Sequence, residues 1–150
     1  MKHTLSFGNI SVPVPIIQGG MGVRISMAEL AAAVANEGGI GIIAGTGLTP
    51  EELVEEIRKA RKMTNGVIGV NVLFAASKFS ELVQAAMEEG IDLVISGAGF
   101  SRDMFKWGKK YNTPIVPVVS SDKFAMLAER FGAAAVVVEG KEAAGHLGTD

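Results

Sequence analysis

The chain has 150 residues, enough for one domain to bury a core, and it contains no cysteine. Without cysteine there are no thiolate nucleophiles, no cysteine-ligated metals and no disulfides, so we expect a reducing compartment and a cytoplasmic protein. The formal charge is −2 and no apolar run approaches the roughly 18–20 residues that span a bilayer, so we expect neither nucleic acid nor a membrane as a partner.

Six short apolar runs, rich in valine and isoleucine, alternate with segments of helical period. Because the runs are nearly continuous in apolar residues, they predict strands buried on both faces, as in a parallel sheet. The predicted strands are Val14–Gln18, Ile40–Ala44, Val67–Leu73, Leu93–Ser96, Ile115–Val119 and Ala134–Glu139. The strand–helix–strand order predicts an α/β fold with right-handed crossovers.

The helical segments carry start and stop signals. Ser26 with Glu29 predicts a capping box, and Thr49 with Glu52 predicts a second one, followed by Pro50 at the first helical position. The other signals are a stop at Gly38 and Gly39, a helix over Phe79–Glu89 ending at Gly90, a helix from Ser101 through Trp107, and a helix over Asp122–Phe131 between Ser121 and Gly132.

The number of predicted strands falls short of a closed barrel. About six strands fit in the chain, whereas an eight-stranded βα barrel usually takes about 200–250 residues. The sequence therefore predicts either an open sheet or a chain that stops before the barrel closes, and we favour the second because the chain ends directly after its most chemically loaded segment.

Small and polar residues follow nearly every predicted strand, where parallel α/β folds bind their ligands. Glycine there lets backbone N–H groups approach a flat or anionic ligand, although any one glycine can also form a simple tight turn. The segments are Gln18–Gly22, Gly45–Gly47, Asn71, Ser96–Gly99, Ser120–Ser121 and Glu139–Gly140 leading to Gly145–His146. Neither a Rossmann fingerprint nor a phosphate loop is complete, so dinucleotide binding of that kind is disfavoured.

Three side chains at these strand ends could carry chemistry. His146 titrates near neutrality and is the candidate catalytic base, with a surface histidine as the alternative. Asn71 ends a buried strand, so its amide needs a partner, either another loop or a ligand heterocycle. Glu139 is a candidate acid near the site. With two histidines and no short-spaced cluster of ligands, no metal site is expected.

Four segments in order resemble the nitronate monooxygenase (2-nitropropane dioxygenase) family of FMN enzymes, whose relatives include the flavin-dependent type II enoyl-acyl carrier protein reductases. These segments are Pro15–Gly22, Gly69–Asn71, Gly97–Gly99 and Glu139–Gly148. The resemblance covers the N-terminal half of such a protein, and Ala144 stands where the family commonly has a second glycine.

The resemblance implies that residues 1–150 are the N-terminal part of a single TIM (β/α)8 barrel with FMN at its carboxyl rim. It implies that Gly20, Met21 and Gly22 lie against the isoalloxazine ring, that Asn71 hydrogen-bonds the flavin, and that His146 removes the α-proton of a nitroalkane. Glu139 and Gly145 complete the expected cofactor-binding set. The family holds the FMN phosphate in loops after the seventh and eighth strands.

The implied activity is oxidative denitrification of nitronates or nitroalkanes with molecular oxygen. One alternative is NAD(P)H-dependent reduction of enoyl thioesters. Another is a non-catalytic barrel fragment that acts only on assembly, with itself as a homo-oligomer or with a complementing piece.

Overall fold

The computed structural model describes residues 4–145, in which a hairpin precedes alternating helices and strands. The strands are β1 (Leu5–Phe7), β2 (Ile10–Val12), β3 (Gly41–Ala44), β4 (Ile68–Leu73), β5 (Leu93–Gly97), β6 (Ile115–Val119) and β7 (Val137–Val138). The helices are α1 (Ala28–Asn36), α2 (Pro50–Met63), α3 (Phe79–Glu88), α4 (Arg102–Tyr111) and α5 (Asp122–Phe131). None of these helices is both long and apolar enough to cross a membrane.

Strands β3 to β7 form one parallel sheet in chain order, and each helix from α2 to α5 connects two neighbouring strands. An isolated parallel bridge between Ile17 and Ile40 adds the segment before α1 to the outer edge of β3. This arrangement is part of a TIM barrel, as predicted, with about six of the strand positions occupied.

The sheet separates two apolar cores. Outward-facing side chains such as Ile43 and Val70 pack against the helices, whereas inward-facing side chains such as Ile42 and Leu93 fill the barrel interior. Ile10 and Val12 belong to the inner core, so the β1–β2 hairpin closes the amino-terminal end of the interior. The carboxyl end of the strands is left for a site.

Two predicted strands are much shorter in the structure. The Val14–Gln18 prediction is wrong as a strand, because only the Ile17–Ile40 bridge forms and both polar groups of Ile42 then bond the Gln18 side chain instead of its backbone. Ala134–Glu139 is reduced to Val137–Val138. The Ile115 carbonyl accepts from the Ala134 N–H, and the Val119 carbonyl accepts from the Glu139 N–H. Because alternate residues of a strand face the same neighbour, Pro117 also faces this segment, but it has no N–H to donate.

The β1–β2 hairpin is not among the predicted elements. Its signal is present, because Leu-Ser-Phe and Ile-Ser-Val alternate in polarity on either side of a two-residue Gly8-Asn9 turn. Gly8 has φ +55°, which glycine adopts without the strain that a Cβ introduces.

The predicted helix ends are mostly confirmed. Thr49 and Glu52 form the reciprocal capping box, and Ser101 and Ser121 cap α4 and α5. The Ser26 box is wrong: Met27 is the N-cap of α1, and the Ala28 N–H donates instead to the Glu56 carboxylate at 2.8 Å.

The predicted C-terminal ends of the helices are confirmed, with two differences. Gly38, Gly90 and Gly132 have positive φ, whereas Gly39 does not. Helix α4 continues past Trp107 to Tyr111 and ends at Asn112, which has φ +53°.

Candidate functional site

A cavity of about 970 Å³ lies at the carboxyl ends of the strands. Its lining comes from the loop 17–23, from the ends of β3, β4, β5 and β6, and from β7 with the loop that follows it. The wall toward the barrel interior is apolar and includes Ile17, Ile95 and Val118. A concave apolar chamber with a few polar groups is the usual form of a site for a small organic ligand.

Asn71 is a polar side chain of the inner wall, and its oxygen bonds none of the described residues. It alternates with Val70 and Val72, which face the helices, so its side chain faces the cavity. Its Oδ1 atom is buried and has no hydrogen-bond partner, the only such side-chain atom in residues 4–145. Leaving a buried acceptor unpaired costs about 1–3 kcal/mol, so this atom can gain from a donor that enters the cavity.

The loop after the Ile17 bridge approaches Asn71 through a glycine. A Cβ on Gly20 would lie 2.6 Å from the Asn71 Cβ atom, so any side chain there would displace the asparagine. A Cβ on Gly22 would meet nothing within 4 Å, and Met21 is 45% exposed. This loop therefore offers exposed backbone and a thioether beside a buried amide.

Two further polar side chains at the rim bond the protein itself. The Gln18 amide donates to the Ile42 carbonyl at 3.1 Å and accepts from the Ile42 N–H at 3.2 Å. The Thr46 hydroxyl accepts from the Leu73 N–H at 2.9 Å. In both cases a side chain takes the place of a backbone group in a strand ladder, so these side-chain atoms already bond the protein.

The loop after β5 brings strained backbone to the cavity. Ala98 has φ +54°, a region that costs an L-residue with a Cβ about 1–2 kcal/mol. The Ser96 hydroxyl donates to the Gly99 carbonyl at 2.5 Å and holds the turn in place. Backbone strain that is retained at a cavity wall is typical of a binding site.

The acidic candidate Glu139 lines the cavity together with Gly145, and Glu142 lies beside them with its carboxylate over Gly140. Ala144 is not at a positive φ, so the alanine that departs from the family pattern is accommodated without strain, and Gly145 takes φ +83° instead. His146, the candidate base, lies outside the described residues.

The structure thus brings Gly20, Met21, Gly22, Asn71, Glu139 and Gly145 to one cavity. Sequence reasoning placed Gln18 and Thr46 at the rim without assigning them a role, and it misassigned Ser26 as a helix cap. Residues 4–145 contain no grouping of three or more acidic, histidine or cysteine side chains that could hold a metal ion.

The lining fits the ring of a flavin better than its phosphate. The isoalloxazine edge alternates hydrogen-bond donors and acceptors, and an asparagine amide can serve both. The described lining includes two glutamates and neither lysine nor arginine, so it offers nothing cationic to a phosphate.

The nitronate monooxygenase family model matches residues 4–150. The chain is 30% identical over 93% of its length to the (3aS,4S,5R,7aS)-5-hydroxy-7a-methyl-1-oxo-octahydro-1H-indene-4-carboxyl-CoA dehydrogenase of Mycobacterium tuberculosis, of which it covers 39%. It is 27% identical over 92% of its length to a probable nitronate monooxygenase of Bacillus subtilis, of which it covers 50%.

Two solved structures superpose closely on this chain. FabK from Thermotoga maritima superposes with a TM-score of 0.86 at 38% identity, over 89% of this chain and 43% of that one. The nitroalkane oxidase of Streptomyces ansochromogenes superposes with a TM-score of 0.84 at 24% identity, over 91% of this chain and 49% of that one, and supports the fold. The chain spans 39% to 50% of the length of these relatives. By its sequence, its strand order and its match from residue 4 to residue 150, the chain belongs to the nitronate monooxygenase family.

Proposed function

We propose that the chain is the N-terminal part of an FMN-dependent oxidoreductase that denitrifies nitronates or nitroalkanes with molecular oxygen. The observation that carries the proposal is the unpaired, buried Oδ1 atom of Asn71 in an apolar cavity at the carboxyl ends of the strands. Family membership supports the same chemistry.

In this proposal each residue has a separate task. The backbone of Gly20 and Gly22 lies against one side of the flavin ring, and the Asn71 amide hydrogen-bonds its heteroatom edge. Glu139, Gly145 and Met21 line the remainder of the ring site. When bound, FMN supplies the electron acceptor for oxidation of the nitronate, with molecular oxygen as co-reactant.

His146 acts before the oxidation. Its imidazole accepts the proton from the α-carbon of a neutral nitroalkane, which leaves the nitronate anion and an imidazolium. A pKa of about 6.5 for an ordinary imidazole suits this transfer near neutral pH. Substrates that enter as nitronates do not need this step.

The proposal is tested by flavin binding to the full chain and to an Asn71→Leu variant. We expect the wild type to quench FMN fluorescence on titration and to show bound-flavin absorption bands. Leucine has a similar volume without the polar atoms, so we expect Asn71→Leu to raise the dissociation constant for FMN at least about tenfold. Because the variant removes an unpaired buried acceptor, its free energy of unfolding without FMN should rise by about 1 kcal/mol or more in urea titrations.

Asn65→Leu serves as the matched control, because Asn65 is exposed in the α2–β4 loop at the opposite end of the sheet. Equal FMN affinity in wild type and Asn71→Leu would reject the role of Asn71. A wild-type chain that does not bind FMN would reject the proposed function for this chain.

A second candidate, an NAD(P)H-dependent enoyl thioester reductase, is favoured by the 38% identity to FabK. Steady-state assays separate the two. NAD(P)H-dependent reduction of a crotonyl thioester without oxygen uptake on nitronate would select the reductase, and the reverse pattern would select the monooxygenase.

A further inference from the structure

The Gln18 side chain takes the place of a strand backbone at the edge of β3. The backbone ladder ends where the Gln18 N–H donates to the Ile40 carbonyl at 3.0 Å. In a regular parallel ladder the next rungs would join Ile42 to the backbone of residues 18 and 20. Instead, both polar groups of Ile42 bond the Gln18 side-chain amide. The main chain is thereby released from the sheet directly before the glycine loop.

The same amide also holds the released loop. Its Nε2 atom donates to the Ser26 hydroxyl at 2.8 Å, and Gly19 offers its carbonyl oxygen 2.7 Å from Nε2. The Ser26 hydroxyl in turn donates to the Gly19 carbonyl at 3.0 Å and accepts from the Met21 N–H at 2.9 Å. One continuous network therefore joins β3 to the backbone of the loop.

This network is buried at its centre and fixed at both ends. Ser26 is fully buried, its N–H donates to the Met21 carbonyl, and its own carbonyl accepts from the Ala44 N–H at 2.8 Å. Buried hydrogen bonds of this kind are costly to leave unmade, so they hold one loop conformation in the absence of a ligand.

We propose that Gln18 is a positioning residue that pre-forms the Gly19–Gly22 loop for the flavin ring, acting through Ser26 and without touching the ring itself. The inference rests on the proposed function, since it assigns that loop to FMN. A preformed loop lowers the entropy cost of binding, because the backbone is ordered before the ligand arrives.

The chemistry of the network requires a side chain that both donates and accepts. The acceptors around Nε2 are the carbonyls of Gly19 and Ile42 and the Ser26 hydroxyl, which are all uncharged. Glutamate has the same shape as glutamine, but its carboxylate would place an oxygen against the two carbonyls. Protonation would restore one donor, so a Gln18→Glu variant should recover the network as the pH falls.

The first experiment needs no flavin. Amide hydrogen exchange, followed by NMR on the full chain, reports the N–H groups of Ile42 and Met21. We expect both to be protected in the wild type. In Gln18→Glu the protection at Met21 should fall at least about tenfold at neutral pH and return as the solution is acidified below about pH 5. Gln84→Glu makes the same chemical change on the surface of α3, where Gln84 donates to the Ser80 carbonyl, and should leave both amides unchanged.

A Ser26→Ala variant separates the two ends of the network. It removes the nearer of the two acceptors of the Met21 N–H, the Ser26 hydroxyl at 2.9 Å, and leaves only the Gly19 carbonyl at 3.1 Å. Because it keeps the Gln18–Ile42 pair, exchange at Met21 should accelerate while Ile42 stays protected. This variant also keeps the inference testable if Gln18→Glu does not fold. Unchanged exchange at Met21 in Ser26→Ala would overturn the proposed network.

FMN titration of the same proteins then tests the link to the cofactor. We expect the dissociation constant to rise about tenfold in Ser26→Ala and in Gln18→Glu at neutral pH, with recovery of the latter at acid pH. Loss of protection with unchanged FMN affinity would overturn the positioning role while leaving the proposed function intact. Absence of FMN binding in the wild type would instead overturn the proposed function, and the flavin role of Gln18 with it.

Discussion

Of the uncharged polar side chains that line the cavity, two bond the protein and one has an acceptor open to a ligand. Gln18 and Thr46 each complete a strand ladder that the backbone does not continue. Asn71 is on β4, and its Oδ1 atom has no partner among the described residues. An unpaired acceptor surrounded by satisfied ones marks the position where binding energy is available.

The proposed base is tested by replacing the two histidines of the chain in turn. We expect His146→Ala to lose about 100-fold or more in oxygen uptake with a neutral nitroalkane, because the variant removes the proposed base. FMN affinity and turnover of preformed nitronate should be retained. His3→Ala is the control and should match the wild type. Full activity of His146→Ala on the neutral nitroalkane would remove the residue from the mechanism.

At the scale of the elements, helix starts are set by competition for polar side chains. The pattern of serine or threonine followed by glutamate three residues later occurs twice, and only Thr49 with Glu52 forms the box. Ser26 has the same local pattern, but its hydroxyl accepts hydrogen bonds from the Gln18 amide and the Met21 N–H. A local pattern cannot show such partners, because they come from another part of the chain.

The capping box of α2 gives a dependence of stability on pH. The Thr49 N–H, and secondly Arg24, lower the pKa of Glu52 below the ordinary 4.5. A lowered pKa in the folded state stabilises the fold above the unfolded value, and this contribution is lost as the pH falls through the folded value. We therefore expect the free energy of unfolding of Glu52→Gln to fall less steeply than that of the wild type between about pH 5 and pH 3.

Denaturant unfolding at several pH values measures this difference. Glu55→Gln makes the same change at an exposed position of α2 and should follow the wild-type slope. If the free energy of unfolding fell equally steeply with pH in Glu52→Gln and the wild type, the Glu52 carboxylate would contribute nothing to the pH dependence of stability.

Helix α1 and strand β3 approach so closely that only glycine fits between them. A Cβ on Gly41 would lie 1.9 Å from the Ala31 carbonyl oxygen, and neither backbone can yield without moving its element. We expect Gly41→Ala to lower the free energy of unfolding by about 3 kcal/mol or more. Gly90→Ala has open space but φ +79°, so it should cost only about 1–2 kcal/mol in the same urea titrations. Equal costs would contradict the packing argument.

At the scale of the whole molecule, the continuous apolar runs predict β3 to β6 because those strands are buried on both faces. The outermost predicted strands, Val14–Gln18 and Ala134–Glu139, are mostly lost. At the first, the Gln18 side chain takes the hydrogen bonds of Ile42, and at the second, Pro117 has no N–H to donate. The rim residues of the site could be predicted from their place after the strands. Their hydrogen-bond partners could not, because they are set by the three-dimensional arrangement of separate loops.

The outer side of β7 is unpaired among the described residues, and Val138 on it is 75% exposed. An exposed apolar edge strand favours pairing with another chain. We expect the 150-residue polypeptide to associate with increasing concentration in sedimentation velocity, and Val138→Lys to shift it toward the monomer. Met126→Lys removes an apolar side chain from α5 that is 63% exposed, and it should not change the association. A wild type that stays monomeric would exclude association through this edge.

The consecutive order of β3 to β7 also bears on how the protein is made. Each strand pairs with the strand one helical crossover earlier, as Gly41 does with Ile68 and Val118 with Val137. Each pairing therefore closes only a short loop, and the entropy cost is met one unit at a time. A ribosome that delivers the chain from its N-terminus presents every new strand to an edge that is already in place, so the barrel can grow by vectorial addition during synthesis.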